Sequence, residues 1–116
     1  MTPAEFKKEV VKILPGYSWT FHRSSAPEIY LDATGIQSSG SNRLSTVYVI
    51  RREKKGVVEY EVKSAGYGRR APWLSVAHRR TLAQALRQLQ DHYEYSASNY
   101  SAHARCLENA RKKKMA

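Results

Sequence analysis

Basic side chains outnumber acidic ones twenty to ten, and their spacing narrows the chemistry open to this chain. Most fall in four clusters: Arg51-Arg52 with Lys54-Lys55, Arg69-Arg70, Arg79-Arg80, and the run Arg111–Lys114. Residues 1–40 hold four basic and four acidic side chains. Residues 41–80 hold ten and three, and residues 81–116 hold six and three. Solubility alone needs no such asymmetry. Clustered guanidinium and ammonium groups bind rows of phosphates, and they do so without needing a particular fold. Aromatic residues interleave with them at Tyr48, Tyr60, Tyr67 and Trp73, and an exposed ring can stack on an unpaired base. The expected phosphate-contacting set is Arg51, Arg52, Lys54, Lys55, Tyr67, Arg69, Arg70, Arg79 and Arg80. It spans a hairpin tip, a Gly-containing loop and a helix start that can converge on one sheet edge. A helix start would add free backbone N–H groups. The expectation is a non-catalytic nucleic-acid-binding module, with DNA, RNA and strandedness left open.

Other chemistries are less well supplied. His22, His78, His92 and His103 are scattered, and none has the partner spacing of a zinc finger or of HExxH. His103 and Cys106 could share a helical face, but no further ligand accompanies them, so no metal or cofactor is expected. No serine sits in G-x-S-x-G, and Gly66-Tyr67-Gly68 lacks the GK[ST] of a phosphate loop. Glu59 and Glu61 share a strand face with Lys63, which suits a solvated, charge-paired surface. An enzyme would have to assemble distant groups such as His22, Glu59, Glu61 and His78, and no catalytic residue is nominated. The alternative to nucleic acid is a small basic protein-binding module or inhibitor, docking on an acidic surface such as that of a nucleic-acid enzyme. Its contacts would be Tyr48 and Ile50 on one strand face, with Tyr93 and Tyr100 along the C-terminal helical region; tyrosine is a common interface anchor.

These groups need elements to position them. Thr2, Pro3 and Glu5 form a helix-start signature, and Phe6, Val10, Ile13 and Leu14 make an apolar stripe that Pro15-Gly16 ends. Tyr17 to Arg23 alternates as a half-buried strand. Glu28 to Ala33 predicts a shorter strand, with Ile29, Leu31 and Ala33 on one face. Residues 35–42, GIQSSGSN, predict a flexible loop. Thr46–Arg52 and Val57–Lys63 predict two further strands around a turn at Glu53–Gly56. A helix follows, capped at Ser75 or Thr81. From Leu82 onward, Leu86, Leu89, Tyr93, Ala97, Tyr100, Ala104 and Leu107 keep a three-four spacing. That spacing fits one long helix able to pair with a second copy. The polar run Tyr95–Asn99 favours two helices with a bend near Ser96–Asn99.

The expected fold is thus α+β: an N-terminal helix, about four antiparallel strands, then one long or two shorter helices, packed on one face. One domain is expected over residues 1–110, with residues 111–116 a basic, disordered tail. The order of elements resembles the double-stranded RNA-binding domain over about residues 1–92. Gly66-Tyr67-Gly68-Arg69-Arg70 and Ala83-Gln84-Ala85-Leu86 take roughly the places of that family's basic loop and last helix. The compact Lys-Lys-Ala-Lys start is missing, and the fourth strand and C-terminal extension are extra. The lone Cys106, the lack of a long apolar run and the acid at Glu5 give a reducing, cytoplasmic setting as the expectation, with no transmembrane segment.

Overall fold

The computed structural model describes residues 1–39, 42–66 and 72–114. Helix α1, Pro3–Ile13, starts where the sequence says it should. The Thr2 hydroxyl accepts from the Glu5 N–H at 3.2 Å, and the Glu5 carboxylate accepts from the Thr2 N–H at 3.2 Å. The hydrogen bonds from Thr2 hold the Glu5 carboxyl below the usual glutamate range. Pro3 fills the first helical position, where no N–H is missed.

Five strands follow: β1 Ser18–Phe21, β2 Tyr30–Ser39, β3 Asn42–Lys54, β4 Val57–Ala65 and β5 Ser75–Arg79. They form one antiparallel meander in chain order. The last element, α2, runs unbroken from Leu82 to Lys114.

The strands differ from expectation in two places. Residues 35–39 continue β2 rather than forming a loop, pairing with β3 up to Ser39 against Asn42 with a shift of register between Gln37 and Ser38; residues 40 and 41 lie outside the described residues. A polar, glycine-bearing composition marks a strand exposed near its end as readily as a loop. Ile29, expected on the inner face, precedes the strand and is exposed. The second difference is β5. Ser75-Val76-Ala77-His78-Arg79 is a strand and not a helix start or loop, because β4 offers it a free edge: Ser64 pairs with Ser75 and Tyr60 with Arg79.

One sheet face carries the core. Leu31, Ala33, Val47, Val49, Tyr60, Val62 and Ala77 pack against Phe6 and Val10 of α1 and Leu82, Ala85 and Leu89 of α2. Trp19 and Phe21 extend this core along β1, and Phe6 meets Phe21 edge-on at 6.1 Å. Gly35 sits opposite Trp19 in the register, directly beneath its ring. The indole N–H of Trp19 donates to the Leu14 carbonyl at 2.9 Å, which fixes the ring in place.

Beyond Tyr93, α2 leaves the sheet. Glu94 to Lys112 is exposed throughout except at Ser96. The molecule therefore measures 67 × 35 × 23 Å, with a radius of gyration of 18.5 Å. A compact chain of this length would have about 13 Å. No bend interrupts the helix at Ser96–Asn99, since nothing there breaks its hydrogen bonds and all four residues tolerate helix. It also continues through Arg111–Lys114, past the expected boundary of the domain. Among the described residues no helix is long and apolar enough to cross a membrane.

Candidate functional site

Some of the basic groups, Arg52, Lys54, Lys55, Arg79 and Arg80, lie where two chain reversals come together. Lys55 and Gly56 have φ of 53° and 78°, the left-handed pair of a two-residue hairpin turn between Lys54 and Val57. Such a turn matches the twist of its strands, and glycine takes the second position without a Cβ penalty. The turn places Lys54 and Lys55 at one end of the sheet. Strand β4 starts there, and β5, antiparallel to it, ends there. Arg79 is the register partner of Tyr60, so Arg80 comes up beside the start of β4. Two adjacent depressions result. The first, about 290 Å³, is lined by Val57, Val58, Glu59, His78, Arg79, Arg80 and Gln84. The second, about 420 Å³, is lined by Arg52, Lys54, Lys55, Val57 and Glu59. Val57 and Glu59 are common to both, so the two form one continuous surface.

Helix α2 starts at the rim of this surface. The Thr81 hydroxyl accepts from the Gln84 N–H at 3.2 Å, and the first turn holds no acid. Its positive end is therefore not neutralised within the helix. Among the described residues, Lys54, Lys55, Arg79 and Arg80 have no carboxylate partner. Arg52 differs. It pairs with Glu61 at 3.1 Å and lies over the Tyr30 ring at 5.9 Å. Its charge is already engaged by Glu61.

Arg51 does not belong to this surface. Side chains alternate along β3, so Val47, Val49 and Arg51 face the helices while Arg52 faces away. Arg51 is 6% exposed, and its nearest acid is Glu53 at 3.8 Å. Its Nε and Nη1, like Oε1 of Glu9, are buried without a hydrogen-bond partner. Tyr67, Arg69 and Arg70 lie outside the described residues.

The helix-free face of the sheet gathers a second set of polar groups. Tyr48 donates its hydroxyl to the Asp32 carboxylate, and Tyr30 stands beside it. Burial, and then the bond to Asp32, raise the Tyr48 phenol well above its ordinary pKa. It is therefore a donor and not a base. The His22 and Trp73 rings flank Tyr48 at 6.1 and 6.2 Å, and His22 bonds the Thr34 hydroxyl at 2.7 Å. Two strands over, His78 stands between Glu59 at 3.2 Å and Glu61 at 3.5 Å. Of the four residues an enzyme would need, Glu59, Glu61 and His78 thus come together. His22 lies on β1's side of the same face, three strand spacings or roughly 14 Å from Glu61. Among the described residues no group of three or more His, Cys, Asp or Glu side chains could hold a metal ion.

The expected protein-contact residues scatter. Ile50 is 3% exposed; in the central strand it has Asp32 and Glu61 as register neighbours. At that burial it cannot serve as an exposed anchor. Tyr48 is half-buried with its hydroxyl engaged, and Tyr93 is half-buried with its hydroxyl against that of Ser64. Tyr100 alone is open, at 78% exposure. The Tyr30–Tyr48–Asp32 group escaped the sequence because its members are adjacent only through the β2–β3 register. No family model, curated protein or solved structure matches this chain.

Proposed function

We propose that this protein is a non-catalytic nucleic-acid-binding module. Its contact surface is the end of the sheet formed by the β3–β4 turn, the end of β5 and the start of α2. One observation carries this reading: Lys54 and Lys55 line one depression and Arg79 and Arg80 the one adjoining it across Val57 and Glu59, and among the described residues none of the four has a carboxylate partner. Arg52 borders this surface, and α2 begins at its rim. Phosphates are the ligand that suits cations gathered in this way, because each cation that meets one releases a condensed counterion. The depression has no deep apolar pocket and its cations come from separate turns, which favours contact along a backbone over readout of base edges.

The test is a fluorescence anisotropy titration with short single- and double-stranded DNA and RNA, each at two salt concentrations. Binding in the micromolar range is expected, with log affinity falling steeply against log salt. Changing Lys54, Lys55, Arg79 and Arg80 together to Ala should reduce that slope by about 3 to 4, near one unit per phosphate contact. Absence of binding near ~0.1 M salt, where even non-specific binders of this kind hold on, would sink the reading. The basic surface would then serve an acidic protein partner.

A further inference from the structure

Two features of α2 remain unused. Past the sheet, a bare stripe of Ala97, Tyr100, Ala104 and Leu107 continues the face that Tyr93 begins. Where the helix leaves the sheet, an apolar groove of about 350 Å³ stays open. Leu14, Tyr17 and Leu74 form one wall, and Leu86, Gln90 and Tyr93 of α2 form the other. We infer that a second copy of this chain covers both, through a two-fold, antiparallel pairing of the α2 helices.

The spacing argues for a copy because it is self-complementary. Counting from Tyr93, seam positions fall at Tyr93, Ala97, Tyr100, Ala104, Leu107 and Arg111 in steps of four and three, as in a coiled coil. Antiparallel helices set the two kinds of seam position against each other in layers. With the two-fold axis near Ser98–Asn99, Ala97 meets Tyr100 of the second copy, Tyr93 meets Ala104, and Gln90 meets Leu107. Each aromatic then lies against an alanine. Each Leu107 arrives beside Gln90, which lines the groove, and supplies the apolar knob the groove lacks. A two-fold interface requires this reciprocity, since each contact occurs twice.

Charge selects among the arrangements. In this register Arg87 flanks Glu108 of the second copy, and the symmetric pair repeats it. Both side chains are exposed, and Glu108 is otherwise held only by Lys112 within its own helix, at 3.3 Å. A slip of one heptad would bring Glu94 beside Glu108 and push Arg111 against Tyr93. A parallel pair would stack Arg111 on its own copy in the seam. In the chosen register Arg111 faces Leu86, so a cation reaches the seam there too; what the alternatives add is like-charge contact, Glu94 on Glu108 in the slip and Arg111 on Arg111 in the parallel pair.

The experiment is light scattering on the full chain across micromolar to millimolar concentration, with circular dichroism confirming helix content. The mass of two chains is expected. Leu107→Asp should return the mass to one chain with the sheet intact, because Leu107 lies on the exposed part of α2, away from the sheet. Glu108→Arg and Arg87→Glu should each weaken the dimer several-fold, and the two together should restore it. A single-chain mass at every concentration overturns the inference, as does a dimer indifferent to Leu107→Asp. Failure of the charge swap to rescue overturns the antiparallel register.

Discussion

Replacing Gly35 with Ala tests how β1 is held to the sheet. A Cβ built at Gly35 would stand 2.8 Å from two ring atoms of Trp19, closer than carbon atoms approach. The ring cannot swing aside freely, because its N–H is bonded to the Leu14 carbonyl at 2.9 Å. It also packs between Tyr17 at 5.9 Å and Phe21 at 6.3 Å. Overpacking of this kind costs about 1–3 kcal/mol. Loss of the indole hydrogen bond would add about 1 kcal/mol. Alanine regains roughly 0.5–1 kcal/mol of backbone entropy over glycine, so destabilisation wins. A net loss of about 2 kcal/mol in a chain of this length lowers the melting temperature by roughly 8 °C. Thermal unfolding followed by circular dichroism reads this directly. A double-mutant cycle isolates the cause: with Trp19→Leu in place, Gly35→Ala should cost less than half as much. Equal melting temperatures for Gly35→Ala and the parent, or additive effects of the two changes, would refute the close approach of Trp19.

The remaining expectations concern buried ionisable groups. Burial, followed by the neighbouring Glu9 carboxylate, pushes the Tyr60 phenol up to about 12. The folded state thus favours the protonated phenol. Its contribution is fully present below the unfolded tyrosine value of about 10 and is lost as pH rises from there towards about 12. Urea unfolding across that window should show falling stability, and Tyr60→Phe should flatten the fall; an unchanged profile in the variant would count against the burial. Arg51→Met keeps the buried stem and removes a guanidinium with two unpaired nitrogens. Stability should stay within about 1 kcal/mol of the parent, since buried charges are often replaceable by apolar groups of similar volume. Nucleic-acid affinity should be unchanged; a folded Arg51→Met protein with a reduced salt slope would place Arg51 back on the binding surface.

Much of the fold was legible because local signals agreed. The Thr2–Glu5 cap, the alternation read over Tyr17–Arg23 and the turn read at Glu53–Gly56 each have a short-range cause; the cap appears as expected, the strand is the shorter Ser18–Phe21, and the turn tightens to Lys55-Gly56. What escaped depends on partners distant in sequence. Ser75–Arg79 is too short and too polar to declare itself a strand. It becomes one because the edge of β4 was unpaired. Ile50 and Tyr48 looked like an apolar face in search of a cover, yet flanking strands on both sides of β3 bury one and engage the other. The same alternation that was read correctly for β4 splits the pair Arg51-Arg52 between two faces. A cluster of basic residues in a strand is therefore half a cluster on either side.

That last point bears on the proposed binding surface. Arg51 and Arg52 are divided by the pleat and each meets an acid, Glu53 and Glu61. Lys54, Lys55, Arg79 and Arg80, at turns and strand ends, have no carboxylate partner among the described residues. Strand β5 is what brings the last two to the hairpin tip. Had Ser75–Arg79 formed a helical turn instead, Arg79 would have lost its place beside Tyr60. The fifth strand thus gathers the charge as well as closing the core with Ala77. A change that weakens β5 pairing should therefore lower stability and phosphate affinity together, whereas Arg79→Ala with Arg80→Ala should lower affinity alone.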